Sequence, residues 1–156
     1  MGCDIHLCLE VQDAKTNKWY RPEWDTVKNK YYEEPASLID DCLDHRNYQL
    51  FYYLADVRGD GDQEPLWPNR GIPKDSSLTV GSDGYVECHI LGDHSYTYFT
   101  AGEWRQAQEA GKLDVIKETA PLFYGYVSAL FGDKYDGSSH RWQGIQNMRI
   151  LVGFDS

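Results

Sequence analysis

Met1–Val11, MGCDIHLCLEV, is the stretch whose reading decides the fold. From Asp4 it alternates without a break. Ile5, Leu7, Leu9 and Val11 point one way, and Asp4, His6, Cys8 and Glu10 point the other. A period of two over this length predicts a β-strand with one face on a core. The opposite face then carries a carboxylate, an imidazole, a thiol and a second carboxylate in a row, which marks it as a candidate site.

Outward from this strand, QDAKTN (12–17) is turn-forming, and KWYRPEW (18–24) predicts a short returning strand that stops at Pro22. Residues 25–35 read as loop. Ser37 to Leu43 gives a short helical stripe. In NYQLFYYLADVR, Leu50, Phe51, Leu54 and Val57 predict an amphipathic helix, with Arg58 at its end before Gly59. Residues 59–84 are rich in Gly, Pro, Asp and Ser. Leu66, Trp67, Ile72 and Leu78 can anchor them, so a long ordered loop is expected there. Its Asp60, Asp62, Glu64 run is not a calcium loop, because Pro65 stands where that motif needs Gly.

Tyr85–Leu91 predicts a strand and YTYFT (96–100) a second one. Thr100 and Glu103 form a capping box that opens a helix to about Ala110, and Gly111 ends it. Residues 114–131 predict a helix started or kinked at Pro121, 132–140 a loop, and Met148–Phe154 an apolar closing strand. The expected architecture is one α+β domain over 1–156, with a mixed or mostly antiparallel sheet, N- and C-terminal strands and about four helices.

The 156 residues carry a net charge of −10, which argues against binding a nucleic-acid polymer but leaves room for a small anion gripped by local Arg. Cys3, Cys8, Cys42 and Cys88 form no CxxC and read as reduced thiols of a cytoplasmic protein. No apolar run is long enough to span a membrane, no secretory pattern opens the chain, and His6 stands where myristoylation needs Ser or Thr.

Three polar clusters are candidates for chemistry. They are Asp4, His6 and Glu10 on the first strand, Arg58 and Arg70 flanking the long loop, and Asp93, His94 and Ser95 after the Gly92 break. Asp4, His6, Asp93 and His94 offer the donors of a divalent metal site (Mn, Zn or Mg), with Arg58 and Arg70 left to hold a phosphate. The competing reading of Asp4 and His6 is a hydrogen-bonded pair at a sheet edge without a ligand. Cys8 beside His6 is a candidate nucleophile, although neighbouring strand positions do not by themselves make a dyad. His89 reads as structural, and His45 and His140 lack the second histidine-bearing loop and paired Arg of the three clusters. Trp67 or Tyr96 could stack on a base.

These motifs taken in order resemble a family of small phage and prophage proteins. Its members open MGxDIHxxxE, carry YxLFxxLAxVR and RGxP followed by Ser, then a DHS segment, and close on a strand ending FD. The matching segments here are Met1–Glu10, Tyr48–Arg58, Arg70–Pro73 with Ser76, Asp93–Ser95 and Phe154–Asp155. This chain has HSYT where members often read HSHS, so a second histidine is missing from the third cluster. The resemblance implies an accessory protein acting in a bacterial cytoplasm against host defence.

Three functions fit. The first is a binding module for a small nucleotide-like anion, sequestering a host immune signal, with Ser76 added to the three clusters as ligand contacts and a homo-oligomer as the expected form. The second is a metal-dependent phosphoesterase that cleaves such a signal. The third is an acidic inhibitor of a host protein, a DNA mimic.

Overall fold

The computed structural model describes residues 2–28, 35–42, 46–59, 61, 63–87, 89–136 and 140–155. Leu43, His45, Asp60, Asp62, Cys88 and parts of the expected loops 25–35 and 132–140 lie outside them. The first strand forms as expected, β1 (Asp4–Asp13), and pairs along its whole length with the last, β6 (Ile145–Asp155), from Asp4 opposite Asp155 to Asp13 opposite Ile145. The sheet order is β2 (Trp19–Tyr20), β1, β6, β5 (His94–Thr100), antiparallel throughout, so the two terminal strands are central. A two-stranded sheet, β3 (Thr26–Val27) with β4 (Ala36–Ser37), stands apart where loop and helix entry were expected.

Helices cover one face. They are α1 (Tyr48–Ala55), α2 (Ala101–Glu109), α3 (Asp114–Thr119) and α4 (Pro121–Asp136). Ile5, Leu7, Leu9 and Val11 meet Met148, Ile150, Val152 and Phe154 under these helices, and Trp67, Phe99 and Trp104 stack beside them. The Thr100–Glu103 capping box is present and opens α2. The single helix expected over 114–131 is two, because Ala120 before Pro121 leaves the helical region and Pro121 starts a new helix. The stripe at 38–43 is a tight 3-10 turn, Leu38–Cys42, and the expected return over 18–24 shortens to β2 before a 3-10 turn, Glu23–Asp25, after Pro22.

The other face is not left to solvent. Cys8, Leu151 and Tyr96 are buried under Leu78 from the long loop and Val86, Ile90 and Leu91 just after it. This overturns the strand expected at Tyr85–Leu91. Its apolar residues cover the sheet instead of joining it, Val86 making one isolated bridge to Val80 and His89–Leu91 turning as a 3-10 helix. The covering is close. A Cβ on Gly153 would lie 1.8 Å from the Leu91 carbonyl oxygen, so this β6 position admits only glycine. Among the described residues no helix is long and apolar enough to cross a membrane.

Candidate functional site

The start of β1 and the end of β6 form one end of the sheet. Ile5 and His94 flank Phe154 there, roughly 10 Å apart across two strand spacings. The stretch leading into α1 packs against this end. Asn47 caps α1 by accepting from Leu50 N–H, which fixes Arg46 just outside the helix. Arg46 Nε donates to Asp4 Oδ1 at 2.7 Å, and its guanidinium lies across Gly2, where any Cβ would collide with it. The Arg46 hydrogen bond holds the Asp4 carboxyl below its usual range, and Asp4 raises Arg46 in turn.

Tyr48 also stabilises the Arg46 charge, and its hydroxyl accepts from Cys3 N–H at 3.2 Å. Arg58, returning from the other end of α1, places its guanidinium 5.6 Å from the centre of the Tyr48 ring, and its charge opposes the rise that burial gives the Cys3 thiol. It gets there through two left-handed residues, Asp56 (φ 61°) and Arg58 itself (φ 60°), a conformation in which a side chain is strained. Two exposed guanidiniums therefore lie near one exposed phenol.

His94 and its neighbours stand at the same end, on the outer side of β6. The His94 ring stacks on Phe154 at 6.2 Å and its Nδ1 is 2.9 Å from Ser95 Oγ. A β-bulge with Ser95 at φ 57° lifts this segment from the regular register, and Asp93 N–H donates to Phe154 O.

His6 lies at this end but on the loop-covered face, opposite Gly153. Its Nε2 is 2.5 Å from Asp155 Oδ2 and its Nδ1 3.9 Å from Asp40 Oδ2. Asp40 also accepts from Leu7 N–H, closing the outer edge of β1 where β2 is too short to pair, and Ser37 does the same for Leu9. Burial pulls the imidazole down, but hydrogen bonds and charge from Asp40 and Asp155 outweigh it and raise His6 to about 9. A raised folded pKa contributes stability that is full below the unfolded value, near 6.5, and is lost as pH rises through 9. His6→Gln should therefore cost about 1–2 kcal/mol at pH 6, after discounting for partial exposure. Urea melts should show that gap closing above pH 10.

Three of the expected ligand residues are elsewhere and engaged in structure. Glu10 is fully buried and accepts from Ser76 Oγ, Ser77 N–H, Ser77 Oγ and Arg149 Nε at 3.0, 2.7, 2.6 and 2.8 Å. Ser76 is consumed by that carboxylate. Arg70 closes the β5 edge, donating to Tyr98 O and Glu103 Oε1, both at 2.9 Å, while stacking on the Tyr98 ring.

The metal set does not assemble. Among the described residues no group of three or more His, Cys, Asp or Glu is placed to hold an ion, since Asp4 turns to Arg46, His6 to Asp155, and His94 to Ser95 on the other face. Cys8 is no nucleophile, for burial pushes its thiol up to about 12. Trp67 is buried against Phe99 and cannot take a base, and Tyr96 is buried with its hydroxyl on Gly92 O. Sequence reasoning missed Arg46, Tyr48, Asp40 and Asp155. Asn47 as a helix cap was the available local signal for where Arg46 would stand.

Compared with family models, curated proteins and solved structures, the chain shows no match.

Proposed function

We propose that the protein binds a small phosphate-bearing, nucleotide-like anion at the end of the sheet marked by Arg46, Tyr48 and Arg58. The observation that carries this reading is the exposed Tyr48 ring with the Arg58 guanidinium 5.6 Å from its centre and Arg46 nearby, in a chain of net charge −10. Guanidinium forks suit phosphate oxygens, and a phenol ring offers a face for a base. Asp93, His94 and Ser95 stand at the same end of the sheet, across β6. Asp4 occupies Arg46 in the free protein, so an entering phosphate would take over that bond.

The resemblance to phage accessory proteins supports sequestration of a host nucleotide signal in the bacterial cytoplasm. Binding is favoured over cleavage because the described donors form no group able to activate water through a metal.

Calorimetry with mononucleotides, ADP-ribose and cyclic dinucleotides tests the reading. At least one should bind, be recovered unchanged after denaturation, and lose at least about tenfold in affinity with Arg58→Ala or Arg46→Ala. Absence of binding across the series, wild-type affinity in both variants, or new products that EDTA suppresses would overturn it. Activity against a host protein that survives both variants but fails on reversing surface Asp and Glu would instead establish the acidic inhibitor.

A further inference from the structure

A groove of about 450 Å³ lies on the loop-covered side of the sheet, and neither Arg46 nor Arg58 lines it. It runs between residues 71–74 and the turn over 78–84. Leu78 and Tyr96, both nearly buried, form its floor, and exposed Lys74 and Val80 stand at its rim. Its volume is in the range of small-molecule sites, and its lining is more apolar than polar.

The walls are fastened independently on three sides. Gly71 N–H donates to Tyr96 O, with Arg70 beside it on Tyr98 O. Ser76 and Ser77 are tied to buried Glu10, and Asp75 to Arg149 Nη1 at 2.9 Å. Val80 bridges to Val86. Walls held this way spare a ligand the cost of ordering them.

The charge pattern selects the occupant. Lys74 is the one charged side chain on the described lining, and the neighbouring Asp75 carboxylate is turned to Arg149. We propose that this groove is a second, separate binding site, for a small aromatic molecule carrying a single anionic group. Its ring would lie along Ile72 and Leu78 and its anion would meet Lys74. Glu10 and Arg149 are positioning residues that hold the walls.

Anilinonaphthalene sulfonate, an aromatic monoanion, is the probe. Its fluorescence should titrate to one site per chain on the native protein, with near-ultraviolet circular dichroism unchanged. Lys74→Glu and Val80→Asp, both at exposed positions, should each weaken binding at least tenfold, while Arg58→Ala leaves it within twofold. Binding within twofold of wild type in both groove variants overturns the proposal, and so does loss of binding in Arg58→Ala, which would place the probe at the sheet end. Nucleotide affinity unaffected by Lys74→Glu keeps this outcome distinct from that of the first site.

Discussion

Glu10→Ala should cost the fold about 3–5 kcal/mol, the range expected when one partner of a buried ion pair is removed. Glu10 is 0% exposed and the Arg149 side chain 5%, so neither charge has water to fall back on. The carboxylate satisfies four donors, and Arg149 already carries one buried nitrogen, Nη2, without a partner. Removal of Glu10 leaves the guanidinium with Asp75, whose side chain is 66% exposed and screened by solvent, and with the Trp19 ring 3.8 Å away. Against a typical total of about 5–15 kcal/mol, this brings the protein close to unfolding at body temperature.

Glu10→Gln keeps an acceptor for the serines and should cost less. The double variant Glu10→Leu with Arg149→Met should be far more stable than the sum of the singles, since two apolar side chains remove both desolvation penalties together. Urea midpoints of the wild type, these variants and the single changes Glu10→Leu and Arg149→Met read the comparison. A loss below about 1 kcal/mol in Glu10→Ala would show that the pair does not hold the loop to the sheet.

The same pair shows what the sequence could and could not disclose. Alternation in Asp4–Val11 correctly sorted the residues of β1 into two faces, because period two is a property of the local backbone. It could not tell that the second face would be buried too, since the cover comes from residues some 70 positions later. The Thr100–Glu103 box and the Pro121 break were legible because both act within one turn of chain. The strand expected at Tyr85–Leu91 failed because Val86, Ile90 and Leu91 are apolar for the sake of that remote cover.

Arg58 could be marked from its place at the end of a helix, but its meeting with Tyr48 depends on two left-handed residues that no local pattern announces. Arg46 finds Asp4 across 42 residues, and Asp155 finds His6 across 149. Arg149, one charge in the apolar strand MRILVGF, was the signal that a partner must be buried on the facing strand, and Glu10 stands directly opposite it.

Asp25→Asn should stabilise the protein by about 2 kcal/mol at pH 8 and by nothing at pH 3.5. Asp25 is 0% exposed, in the turn after Pro22, and burial raises its carboxyl to about 6. Bonds from Ser37 and Tyr126 and the charges of Arg21 and Arg141 oppose that rise without cancelling it. Tyr126 Oη donates to Oδ1 at 3.4 Å, while Oδ2 and the nearby Arg21 Nε are both buried without a partner.

A raised folded pKa means the folded state keeps its proton while the unfolded chain, near 3.8, has lost it. Stability is therefore greatest below 3.8, falls as pH climbs to 6, and stays lowered above it. A carboxyl carried from 3.8 to about 6 on folding costs about 3 kcal/mol at most once ionised. The amide of Asn escapes that penalty at every pH, but it must set its NH2 toward either Tyr126 or Arg21, both donors, which returns part of the gain. The difference in unfolding free energy between variant and wild type, measured from pH 3.5 to 8, should trace a single titration centred between the two pKa values. A flat difference, or a variant less stable at pH 8, would mean that Asp25 is ionised and well paired in the native state.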